Sequence, residues 1–75
     1  MCYPNPTNDK VIVLFNATVN KGTLRLIDNN GKLCRSVAIN QTERMEVDLS
    51  DLPAGLYCLL IQTGNESATI KIIKE

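Results

Sequence analysis

From residue 10 to residue 74 the chain is built of short runs in which apolar and polar residues alternate with a period of two. Glycine, proline and asparagine interrupt these runs at spacings of roughly ten residues, the rhythm of strands and turns. No segment sustains the three-and-four spacing of an amphipathic helix for more than one turn. The pattern predicts an all-β fold.

The punctuation divides the chain into six strands. Residues 1–9 form a lead-in segment that cannot be a central strand, since Pro4 and Pro6 remove ladder donors and force extended geometry on the residues before them. Residues 10–15 make the first strand, with Val11, Val13 and Phe15 on one face and Ile12 and Leu14 on the other. A turn around Asn20, Lys21 and Gly22 leads to a second strand over residues 23–28. Asn30-Gly31 predicts a two-residue hairpin of type I′. The returning strand, residues 32–39, places Leu33, Val37 and Ile39 on one face and Cys34, Ser36 and Ala38 on the other, with Arg35 marking a bend or an edge. A further turn over residues 40–42 precedes residues 43–49, where Met45, Val47 and Leu49 alternate with Glu46 and Asp48. A one-residue slip there would bury both carboxylates, so the register is well specified. Residues 50–55 turn the chain, with Leu52 tucked inward. Residues 56–62, apolar at almost every position, read as the central strand. Residues 63–66 turn again into the final strand, residues 68–74. Together with a short seventh strand near the lead-in, these predict a small antiparallel immunoglobulin-like β-sandwich of six to seven strands. The likeness is architectural, because the tryptophan and the cysteine spacing of immunoglobulin domains are missing.

A chain of 75 residues has room for one core, giving a single domain over residues 1–75 with its sandwich in residues 10–75. Hydrophobic residues at 44% and charged residues at 21% match folded proteins rather than disordered ones. Eight Lys plus Arg balance eight Asp plus Glu, which removes the electrostatic case for a nucleic-acid partner or an anionic membrane surface. The apolar runs are too short for a membrane-spanning helix, and no basic region followed by an apolar stretch marks a signal peptide. Met1 followed at once by a Pro-rich turn suggests either a truncated chain or a domain cut from a longer protein. The three cysteines, Cys2, Cys34 and Cys58, have no CxxC spacing and do not make a disulfide framework or a zinc site. Cys34 and Cys58 read first as small strand residues, and a Cys34–Cys58 bridge is the lesser alternative.

Without histidine the chain cannot build a Ser-His-Asp or Cys-His site. Asp48 and Asp51 flank an exposed turn with nothing to separate their pKa values, so they are poor candidates for paired acid–base work. Asp28-Asn29-Asn30-Gly31 has its glycine at the fourth position of a would-be calcium loop rather than the sixth, and reads as a hairpin turn. Asn16-Ala17-Thr18, Asn40-Gln41-Thr42 and Asn65-Glu66-Ser67 match glycosylation sequons but fall where turns need Asn and Thr anyway. Carbohydrate binding wants exposed aromatic platforms, and of Tyr3, Phe15 and Tyr57 only Tyr3 lacks a core-like context. These readings predict no catalytic residue, no metal and no cofactor.

Four pieces in fixed order complete the pattern: Tyr3-Pro4-Asn5-Pro6; Asp28 with Gly31-Lys32; Asp48-Leu49-Ser50 with Leu52-Pro53-Ala54-Gly55-Leu56-Tyr57; and Lys71-Ile72-Ile73-Lys74. The series resembles the C-terminal sorting domain, type A, of proteins exported by the type IX (Por) secretion system of Bacteroidetes, over residues 3–74. Cys58, where such domains usually carry an aliphatic residue, and the trailing Glu75 depart from it. The resemblance implies a secretion signal that directs an upstream cargo in the same chain from the periplasm through the outer-membrane translocon to the cell surface or medium. Its implied partners are the type IX translocon and shuttle proteins, and a cell-surface sortase that removes the domain and joins the cargo to anionic lipopolysaccharide.

On the residues themselves, Pro4, Asn5, Pro6, Gly31, Pro53, Gly55 and Tyr57 read as signature turn and scaffold positions, with Gly55 supplying a backbone freedom that a Cβ would hinder. Ile70, Lys71, Ile72, Ile73 and Lys74 are the candidates for contact with the translocon, Ile70 and Ile72 pointing one way and Lys71 and Ile73 the other. A final strand at a sheet edge could add to a partner's sheet. With zero net charge, the same edge also fits a strand-exchanged homodimer. The rival reading is a structural or adhesive immunoglobulin-like module of a surface protein, which would tolerate loss of the tail at a cost in stability alone.

Overall fold

The computed structural model of the chain describes residues 2–4 and 6–75; the expectation for Asn5 lies outside the described residues. The described residues form five strands: β1 (Cys2–Tyr3), β2 (Lys10–Asp28), β3 (Leu33–Asp48), β4 (Gly55–Thr63) and β5 (Glu66–Lys74). All belong to one antiparallel sheet in the order β1-β2-β4-β5, with β3 on β2. The all-β antiparallel class is as expected, but the six to seven strands are not there.

Two predicted turns are absent, and their loss explains the count. Asn20, Lys21 and Gly22 lie inside β2, and residues 40–42 lie inside β3. What looked like two pairs of short strands is one long ribbon, β2 against β3, that bends instead of turning. At the bend Leu14 pairs with Arg44 and Val19 with Thr42, so β2 spends residues 15–18 where β3 spends Glu43 alone. Such a bulge deflects the strand that carries the excess. On the other strand Gln41 takes a φ of 46°, the only described non-glycine residue with a positive φ. The Asn and Thr residues that suggested turns supply this bend.

Bending brings the two arms of the ribbon face to face. Val11, Val13 and Val47 come from one arm and Leu24, Leu26 and Ile39 from the other, and all join Leu49, Tyr57, Leu59, Ile61 and Ile72 in one buried cluster. The sheet is thus its own second layer, a half-barrel rather than a sandwich of separate sheets. Each fully buried aliphatic side chain contributes about 1.5–3 kcal/mol. The face predicted for Val11 and Val13 is buried, Phe15 packs at its margin, and Val47 and Leu49 are buried while Glu46 and Asp48 are exposed.

The turn at Asn30-Gly31 differs in type from the prediction. Type I′ needs positive φ at both central residues, and here only Gly31 has it, at 87°. The Gly31 amide donates to the Asp28 carbonyl and the Asp28 amide to the Lys32 carbonyl, while the Asp28 carboxylate accepts from the amides of Asn30 and Lys32. This is a three-residue loop with glycine in the left-handed position. A second register shift follows, Leu26 facing Arg35 and Ile27 facing Leu33, which leaves Cys34 as the extra residue. Leu33 is therefore thrown to the exposed side, half open to solvent. The edge reading of this strand holds, since its first half pairs only with β2.

β4 lies between β2 and β5, as its apolar run predicts. Close approach of β2 and β4 depends on Gly22: a Cβ there would stand 2.5 Å from the Gln62 carbonyl oxygen. The three cysteines carry free thiols, so Cys34 and Cys58 are unbridged strand residues.

Candidate functional site

β5 and the turn before β4 form one physical unit. Gly64 and Asn65 join β4 to β5 in a two-residue loop, with Gly64 at a φ of 60° in the first central position, as a type II′ hairpin requires. From that turn the two strands pair without interruption from Thr63↔Glu66 to Gly55↔Lys74. β-branched Thr69, Ile70, Ile72 and Ile73 suit this pleated surface.

The predicted contact residues divide by face. Ile72 is fully buried opposite Tyr57, and Ile70 is half-buried against the core. Lys74 turns the same way, and its Nζ donates to the Leu52 carbonyl at 2.9 Å. Lys71 and Ile73 face outward, where Ile73, about half exposed, lies beside the exposed Leu56. The tail therefore turns Lys71 and Ile73 outward, while Ile70, Ile72 and Lys74 hold it to the fold.

The Pro-Ala-Gly-Leu-Tyr turn supplies the other half of that hold. The Tyr57 ring is buried, and its hydroxyl donates to the Pro53 carbonyl, tying the strand to the turn four residues upstream. Burial of the phenol pushes its pKa up, and Cys34 and Asp28 add to the shift. Leu52, as predicted, tucks inward against the core while its carbonyl receives Lys74. Gly55 has a φ of 155° with open space around its missing Cβ, so its role lies in the backbone rather than in packing. Arg35 pairs with Asp51 across the turn. Gly31 sits in the β2–β3 loop, and Pro4 and Pro6 lie exposed in the lead-in, Pro6 next to the Thr7 that bridges β5.

β5 is an edge strand. Among the described residues its second side meets only Thr7, in a parallel bridge to Lys74. The Thr7 amide donates to the Ile73 carbonyl at 2.9 Å, and the Glu75 amide donates to the Thr7 carbonyl at 2.8 Å. Thr7 is the one buried polar residue among those described. Its hydroxyl donates to the Lys10 carbonyl and accepts from the Asp9 amide. Sequence reasoning missed it, because a threonine between proline and asparagine reads as turn chemistry; nothing local marks a residue whose partner is sixty-odd positions away.

Beside this edge an open cleft runs between the bend of β2 and the β4–β5 turn, floored by Val13, Phe15, Ile61 and Ile70. Among the described residues no group of three or more His, Cys, Asp or Glu side chains is placed to hold a metal ion. Among the described residues no helix is long and apolar enough to cross a membrane.

The sequence matches the family model described as a secretion system C-terminal sorting domain, over residues 1–75. No curated protein matches it.

Proposed function

Because the chain belongs to the family of secretion-system C-terminal sorting domains, we propose that it is a type IX export signal read through its last strand, carrying an upstream cargo to the outer-membrane translocon. Membership itself implies a cargo-bearing chain, the type IX machinery, and export to the cell surface or medium. The proposal adds the route and the mechanism. Cargo passes through the periplasm, shuttle proteins and translocon recognise the folded domain, and a sortase cuts it away near the lead-in. The domain contributes no catalysis and binds no cofactor.

The observation that carries this reading is the family match over all 75 residues. The structure supports reading at the tail: β5 lies at the sheet edge and turns Lys71 and Ile73 outward. Backbone groups on such an edge bind an added strand with little dependence on side chains, and the outward residues supply the specificity.

The test is surface delivery of a fluorescent cargo fused upstream of the domain, in a cell with a working type IX system. Ending the chain at Ile70 removes the buried Ile72, so that truncation confounds folding with recognition. The sharper variant is the double substitution Lys71→Glu with Ile73→Ser, which changes only the outward face. Circular dichroism should show it folded, and its cargo should stay in the periplasm. Surface delivery equal to the unaltered domain would move recognition off the tail, and failure of the unaltered domain itself would favour the adhesive-module reading.

A further inference from the structure

The lead-in segment occupies part of the edge that the proposed function assigns to a partner. Ile73 and Glu75 both turn their backbone groups toward Thr7, so the odd-numbered residues of β5 face away from β4. The register agrees: in a two-residue hairpin the closing pair, here Thr63 and Glu66, exchanges hydrogen bonds, which sets the even-numbered residues toward β4. Ser67 and Thr69 belong to the outward set and are exposed. The edge thus has an open stretch near the Gly64-Asn65 turn and a covered stretch at its end.

Thr7 is built to be a cover. Both of its backbone groups are spent on β5, and its hydroxyl is spent on its own segment, which fixes the local turn without adding a bond to the tail. At the far end of the lead-in, the Asp9 carbonyl accepts from the Leu49 amide, anchoring the segment where it enters β2. Among the described residues, Thr7 holds the covered part of this edge through two backbone hydrogen bonds.

On the reading of β5 as the recognition strand, we infer that residues 6–9 are a displaceable strap, an intramolecular competitor for the β5 edge. The partner it competes with is an extended polypeptide strand of the export machinery that adds along β5 from Ser67 to Glu75. Such a strand needs the Ile73 carbonyl and the Glu75 amide that Thr7 now holds. Adding it releases residues 6–9, so engagement of the tail is reported at the opposite end of the chain as exposed backbone.

Locking and releasing the strap test this. Thr7 and Lys74 are direct partners in the bridge, and adjacent strands lie about 4.8 Å apart, within disulfide reach. A chain with Thr7→Cys and Lys74→Cys, its native cysteines replaced by serine, is oxidised or kept reduced, and each form is measured for binding to detergent-solubilised type IX translocon. The unaltered domain is measured under both conditions. The oxidised form should bind at least tenfold more weakly than the same protein reduced; equal binding by the two forms overturns the strap. Thr7→Pro removes the amide that bonds Ile73. Its residues 6–9 should become cleavable by added protease without any partner, with cargo export at least equal to the unaltered domain. A Thr7→Pro domain that is folded by circular dichroism yet fails in export would also overturn the proposal. Failure of the unaltered domain to bind or to export would instead remove the sorting reading on which the strap rests.

Discussion

The two ribbons of this fold are built on opposite rules. β4 and β5 pair in one register from turn to tail, with nothing inserted on either side. β2 and β3 are nearly twice as long and shift register twice, bending until their arms face each other across the core. The straight ribbon holds the candidate recognition strand in fixed geometry, and the bent one wraps the core that this ribbon closes. A small chain that cannot build a second sheet can still bury a core by folding one sheet over itself.

The largest test of that division is Leu59→Ala. Leu59 is fully buried on β4 and pairs with Leu26 of the bent ribbon on one side and Ile70 of the straight one on the other. Loss of its side chain should cost about 2–5 kcal/mol, read from urea unfolding. Because it belongs to both ribbons, fluorescence and circular dichroism transitions should coincide; separated transitions would break the claim that the ribbons share one core. Gly22→Ala should follow at about 1–3 kcal/mol, since its Cβ would strike the Gln62 carbonyl and push the ribbons apart. A neutral result would show that the contact at the bend is not close in solution.

Two smaller changes separate the ribbons. Tyr57→Phe removes the hydroxyl that donates to the Pro53 carbonyl and should cost about 1 kcal/mol. Its effect should fall on the straight ribbon, seen as faster amide exchange near Lys74. Asp48 belongs to the bent ribbon. Hydrogen bonds from Ser50 hold its carboxyl below the usual range, with Arg35 and Lys10 assisting. A group whose folded pKa is depressed adds stability above its unfolded pKa and loses it as pH falls through the folded value. Asp48→Asn should therefore flatten the fall of the urea midpoint between neutral pH and the acid side of the ordinary carboxylate range, while leaving the Tyr57 contacts untouched. An unchanged acid profile would assign that slope to other carboxylates.

The same division explains what the sequence could disclose. The straight ribbon was legible because its signals are local: β-branched alternation, a glycine at the first turn position, an uninterrupted apolar run in β4. The Pro-Ala-Gly-Leu-Tyr turn was legible for the same reason. The bent ribbon was not, because residues 15–18 make a bulge, Gln41 a kink and Gly22 a close approach to β4, all in stretches of the residue types that turns use, and only long-range pairing distinguishes a bend from a reversal. The Leu33 face failed likewise, since the extra residue at Cys34 flips the alternation by one. In the candidate site, the alternation of Ile70, Lys71, Ile72 and Ile73 was correct. Composition could not reveal that Lys74 is tied to Leu52 or that Thr7 covers the tail.

The bridge at Thr7 also has a mechanical meaning. The lead-in and β5 run parallel there, so a pull applied upstream of Thr7 and an opposite pull on Glu75 slide the two strands past each other lengthwise. Both backbone bonds are then loaded together in shear instead of being unzipped in succession. A tail drawn forward while its cargo drags behind would meet resistance at this clamp first, and the half-barrel behind it would be spared the load until both bonds give way.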